Sequence, residues 1–228
     1  GEVAGFEYLL DNYGSDAVSR QQIFQPAIDT ANNGYVVGVT FKEELDSEYT
    51  GIAANETLSN IYLDESGLPY EVGDVIKNPD LAKTLQLIAD GGKDAFYTGD
   101  MAQAMVDAVA AWGGNMTMED LANYEVKVRE PVVGHYKDYT IYSLPPASSG
   151  GTHLVEILNI LENYDDMDKI GVNSAEYVHR FSEAFKIAFA DRAQYMADTD
   201  FADVPLAQLT SKDYAAERYS EITDRSEE

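Results

Sequence analysis

Along most of the chain apolar residues recur every three or four positions, the spacing of one helical face, and only from 124 to 144 does the period fall to two. The pattern predicts an α+β chain, predominantly α-helical, with a short antiparallel β segment near 124–144. Residues 6 to 34 read as helix in pieces, with Pro26 suited to a first turn and Gly34 to a C-cap. Thr40 and Glu43 have capping-box spacing for a helix through about Tyr49. Asn55 opens another helix, presenting Leu58, Ile61 and Tyr62, which Gly67 and Pro69 break. Asn78-Pro79-Asp80 combines a capping side chain, a proline at N1 and an acid at the dipole's positive end, and predicts a helix to Asp90 before Gly91-Gly92. Gly99-Asp100 opens the next. Its Met101, Ala104, Met105, Ala108, Val109 and Trp112 share one face and are expected to be core. Thr117 and Asp120 repeat the capping-box spacing for a short helix.

From Tyr124 the alternation of Tyr124, Val126 and Val128 with Glu125, Lys127 and Arg129 predicts a strand. Two further runs, Val132 to Tyr136 and Tyr139 to Leu144, flank Lys137-Asp138 as a hairpin would. Pro145-Pro146 then stops the strand. The small residues Ala147-Ser148-Ser149-Gly150-Gly151 turn the chain into a helix with apolar positions at 154, 157, 158 and 161. Two readings of this loop stay open. Free N–H groups at a helix start can receive an anion, and small residues also let a buried helix begin close against a strand. Beyond it, Asn173 and Glu176 are spaced to cap a helix holding Tyr177, Val178, Phe181, Ala184, Phe185, Ala188 and Phe189, and Thr210 with Asp213 heads a last one. No internal repeat or low-complexity linker divides the 228 residues, which suffice for one large domain or two small ones.

Charge narrows the partners. Fifteen Lys and Arg stand against 41 Asp and Glu, a formal net charge of −26, which repels nucleic-acid phosphates and anionic lipid headgroups. No cysteine is present, so disulfides, thiolate nucleophiles and Cys-based metal sites are excluded. No apolar run approaches the roughly 20 residues that span a bilayer. The first residues have no basic-then-apolar signal pattern, so an exported parent would carry its signal upstream.

Candidate chemistry is sparse. Ser148 and Ser149 lack the Gly-x-Ser-x-Gly context, and with His153 as the nearest base no third triad member is apparent. His179 and Glu183 lie four apart on a helix but lack the second histidine of His-Glu-x-x-His. Asp165, Asp166 and Asp168 fail as a calcium loop because Ile170 and Tyr177 occupy ligand positions. Both groups read as solvated surface charge. No glycine pattern fits a P-loop or dinucleotide fingerprint.

Pro145-Pro146-Ala147-Ser148-Ser149-Gly150-Gly151 leading into Ile157-Leu158-Asn159-Ile160-Leu161-Glu162 resembles the large subunit of the γ-glutamyltransferase (γ-glutamyltranspeptidase) family of N-terminal-nucleophile hydrolases. Asn78 to Leu85, Gly92 with Ala95 to Gly99, Gly113-Gly114 with Thr117 and Asp120 to Tyr124, and Ala190-Asp191-Arg192 resemble it in the same order. The resemblance implies that residues 1–228 are a large-subunit fragment of an αββα fold. It further implies a parent enzyme, autoprocessed from a zymogen, that transfers γ-glutamyl groups of glutathione-like donors to water or an amino acid. The nucleophile would be an N-terminal threonine of the small subunit with its own α-amine as base, located outside this chain.

On this reading Thr152-His153 imitates the family's Thr-Thr-His but sits in a helix, and Arg129-Glu130 imitates a carboxylate-binding Arg-Glu segment that belongs upstream. Arg129 is expected instead to make a local ion pair. The chain alone is expected to be inactive, with no catalytic, substrate-binding or metal residue and no cofactor. The implied partners are the small subunit and a glutathione-like substrate, with no nucleic acid and no membrane span. Edges that would join absent strands favour self-association of the fragment. The resemblance suggests a secreted, periplasmic or cell-surface parent. The alternatives are a non-catalytic helical module derived from the family and an acylase of the same superfamily.

Overall fold

The computed structural model describes residues 1–15 and 17–226. They form two compact units, Gly1–Lys127 and Val128–Glu228.

The first unit is helical, with α1 (Glu2–Tyr13), α2 (Arg20–Asn33), α3 (Val39–Ser47), α4 (Tyr49–Ala53), α5 (Glu56–Tyr62), α6 (Pro79–Tyr97), α7 (Gly99–Ala111) and α8 (Met118–Ala122). A minimal antiparallel ladder pairs β1 (Tyr35–Val36) with β2 (Val75–Ile76). Helix α2 begins earlier than its proline suggests. Ser19 and Gln22 cap each other reciprocally, leaving Pro26 inside the helix, while Gly34 ends it at φ 94°. Helix α3 also starts earlier, after Gly38, with Thr40 inside it. The cause is the preceding residue: Val37 donates to the Asp74 carbonyl at 2.8 Å and accepts from the Gly73 amide at 3.0 Å, so extended backbone persists to Gly38.

The caps at Asn55, Asn78 and Thr117 form as expected, with side-chain oxygens accepting from Leu58, Leu81 and Asp120 amides. The first stretch of α6 ends where Gly92 takes φ 64°. Beneath that glycine the Arg20 guanidinium makes two contacts with Glu7, at 2.8 and 2.5 Å, joining α1 to α2. Core is built in two places, around Ile28, Ala31, Ala82 and Ala89, and around Val37, Leu45, Ile52, Leu63 and Ile76. Helix α7 departs from expectation. Of its residues only Ala102 is buried, Ala104 and Ala108 are exposed, and Trp112 beyond its end is 83% exposed.

The second unit pairs β3 (Val132–Tyr136) with β4 (Tyr139–Ser143) about the Lys137-Asp138 turn, where Lys137 adopts φ 50°. Residues 124–131 belong to no strand, which corrects the expected start of the β segment. Alternation alone cannot hold a strand, and among the described residues no ladder partner faces this stretch. The hairpin lies against α9 (Gly150–Leu161), where Gly134 admits the Val155 methyls. Helices α10 (Ala175–Tyr195), α11 (Leu206–Leu209) and α12 (Lys212–Tyr219) complete the unit. Its core gathers Ile157, Ile160, Leu161, Ala184, Ala188 and Ala215.

Two caps fall one residue later than the spacing suggests. Ser174 rather than Asn173 caps α10, Asn173 taking the left-handed conformation that Asn tolerates, and Ser211 rather than Thr210 caps α12. No helix among the described residues is long and apolar enough to cross a membrane.

Candidate functional site

The strand end, the loop and the first turns of α9 form one structural joint. Ser148 closes the turn by donating its amide to the Pro145 carbonyl at 3.1 Å. Helix α9 then starts so close to β4 that a Cβ on Gly151 would stand 2.2 Å from the Leu144 carbonyl oxygen. Only glycine fits that approach. Of the two readings of this loop, close packing of a buried helix on a strand is the one the geometry displays.

Neither serine behaves as a nucleophile would. The Ser148 hydroxyl accepts from the Gly150 amide at 3.4 Å, and the Ser149 hydroxyl accepts from the Arg192 Nε of α10 at 2.9 Å. Thr152 is fully buried, and its hydroxyl has no hydrogen-bond partner. His153, also buried, directs Nδ1 to Glu156 Oε2 at 3.0 Å. Burial, then the Arg192 charge, hold this imidazole below its ordinary value, which favours its neutral form.

Glu156 is the centre of a network that periodicity did not reveal. It is wholly buried and hydrogen-bonds to Asp191 of α10. Burial first, and then that neighbouring carboxylate, push its carboxyl up to about 9. Asp191 accepts from the Tyr214 hydroxyl at 2.7 Å and faces the Arg218 guanidinium at 3.5 Å, both from α12. Burial and the bond to Asp191 raise the Tyr214 phenol well above its usual range. A signal was present in the sequence: Glu156 sits three residues from both His153 and Asn159 along a helix buried nearly all round. Leu154, the first expected apolar position, is instead exposed.

The remaining candidates are dispersed. Arg129 pairs with Asp198 at 3.5 Å and Asp200 at 2.8 Å. His179 meets the Thr223 carbonyl at 2.8 Å, and Glu183 accepts from Ser226 at 2.5 Å and Lys186 at 3.3 Å. Asp166 is held by Arg180 at 2.6 Å, while Asp165 and Asp168 point to solvent. No cluster of three or more metal-binding side chains occurs among the described residues. An open notch of about 680 Å³ beside α10 is lined by Tyr164, His179, Arg180, Tyr219 and Thr223, and neither Thr152 nor His153 reaches it.

Comparison with known proteins places these residues in context. The profile of the Gamma-glutamyltranspeptidase family matches residues 1–228. The glutathione hydrolase proenzyme of Escherichia coli K12 is 41% identical over 215 residues, 94% of this chain and 37% of that protein. An acylase ACY 1 proenzyme from Pseudomonas strain SE83 is 39% identical over 96% of this chain and 38% of its own length. The crystal structure of Helicobacter pylori gamma-glutamyltranspeptidase superposes with a TM-score of 0.91 at 39% identity, covering 98% of this chain and 63% of that one. The chain thus spans little more than a third of the curated relatives it matches.

Proposed function

The chain belongs to the γ-glutamyltranspeptidase family, and on that premise we propose that it is scaffold from the large subunit of a proenzyme whose reactive threonine lies outside these 228 residues. In the complete protein that threonine, freed at the start of the small subunit with its own α-amine as base, takes the γ-glutamyl group of a glutathione-like donor as an ester. It then yields the group to water or to an amino acid. The small subunit contributes the oxyanion donors and most substrate contacts, and no metal or organic cofactor takes part.

One observation carries the assignment of scaffold to this chain. Its single Thr-His pair is committed to packing: Thr152 is fully buried inside α9, and His153 is bound to Glu156. A nucleophile needs a positioned base and an accessible carbonyl, and Thr152 has neither. The purified chain is therefore expected not to release product from a γ-glutamyl anilide and not to cleave itself. Release proportional to chain concentration and abolished by Thr152→Ala would overturn the proposal.

The similarity to an acylase proenzyme, close to that of the glutathione hydrolase, supports a second reading in which the parent acts on a different amide. Assay of the full-length parent on a γ-glutamyl anilide and on an acyl amide lacking the γ-glutamyl group separates the two.

A further inference from the structure

The buried carboxyls of Glu156 and Asp191 are hydrogen-bonded to each other in the second unit, which two carboxylates, being acceptors only, cannot be without a proton between them. Glu156 Oε2 receives His153 Nδ1, but Glu156 Oε1 is buried without a donor facing it. A carboxylate oxygen so placed would forfeit its hydration with nothing in return. A proton on Glu156 resolves the conflict, since a carboxyl O–H can donate to Asp191. Asp191 is served on its other side by the Tyr214 hydroxyl and the Arg218 guanidinium.

We propose that the proton carried by Glu156, donated to the Asp191 carboxylate, is a pH-sensitive latch that fastens α9 to α10 and α12 beneath the loop of residues 144–149. The latch is independent of the enzymatic reading, because every group in it belongs to the second unit of this chain. Its surroundings are accounted for on every packed element. Helix α9 supplies His153, whose neutral form burial favours; α10 supplies Asp191 and Arg192, the latter turned to Ser149; and α12 supplies Tyr214 and Arg218, with Arg218 also bound to Glu221 at 2.7 Å. Helix α11, Leu-Ala-Gln-Leu, has no titratable residue. Strands β3 and β4 present Gly134 to Val155 and Ser143 to Gly151, His135 of β3 being exposed beside Thr140.

The direction of the pH response follows from the proton. Glu156 keeps its proton when folded and loses it on unfolding between its ordinary value of 4.5 and about 9. Stability from this group is complete below that interval and is lost as pH rises through it. Glu156→Gln keeps an acceptor for His153 and a donor for Asp191 but cannot ionise. In denaturant titrations of the whole chain from pH 6 to 8, the unfolding constant of the wild type is expected to climb with pH more steeply than that of the variant. The excess should approach tenfold per pH unit, the slope of one proton.

Infrared spectra of the chain labelled with ¹³C in its glutamate carboxyls provide a readout that needs no variant. A protonated glutamate band is expected at pH 7 and should disappear on titration towards pH 10. Equal pH slopes in the two proteins, or no protonated glutamate in the folded wild type at pH 7, would overturn the latch. Should Glu156→Gln fail to fold, the infrared titration decides alone.

Discussion

Helices α7 and α9 are of nearly equal length and both are largely apolar, yet one of them is left in the open. Nine of the thirteen residues of α7 are Ala, Val or Met, and one, Ala102, is buried. Helix α9 has six Leu, Ile or Val among twelve residues, and nine of its residues are buried, including Thr152, His153, Glu156 and Asn159. What differs is the company each keeps. Helix α9 is enclosed by β3, β4, α10, α11 and α12, whereas α7 packs on α6 and α8 within its own unit. Burial follows the partners available to a helix as well as its own hydropathy, and enclosure on all sides brings polar residues inside that must then be satisfied by one another.

Three substitutions test that contrast, beginning with the largest effect. Leu161→Ala, which empties a fully buried site in the α9 cluster, is expected to cost about 2–5 kcal/mol, read as a lowered denaturation midpoint by circular dichroism. Gly151→Ala would push a methyl into the Leu144 carbonyl and should cost about 1–3 kcal/mol, because helix and strand must part to admit it. Tolerance of that methyl would mean the joint is looser than its 2.2 Å approach implies. Trp112→Ala, at the open end of α7, should change stability by no more than about 0.5 kcal/mol. A loss comparable to that of Leu161→Ala would show that α7 is covered after all.

The legible parts of the fold were those written in local chemistry. Asn55, Asn78 and Thr117 announce their helices because a cap needs only a side chain and an amide three residues on. Lys137-Asp138 announces the hairpin because its length suits a two-residue turn. Register errors of one residue arose where two capping side chains stand together, as Asn173 and Ser174 or Thr210 and Ser211 do, since spacing cannot rank them. The strand expected from Tyr124 and the core expected of Trp112 both failed for want of a neighbour, which periodicity does not encode.

The site shows the same division. The family is legible in the loop and in Ala190-Asp191-Arg192, yet the link from Glu156 to Asp191 and onward to Tyr214 and Arg218 spans three helices distant in sequence. Only the folded arrangement brings those groups together.

The exposed indole of Trp112 has a practical corollary, for it is the single tryptophan of the chain. Already bathed in solvent before denaturation, it should emit at long wavelength throughout a melt, leaving intrinsic fluorescence nearly blind to collapse of the interior. The same position makes it a sentinel: a blue shift on mixing with another polypeptide would announce that something has come to rest on the end of α7.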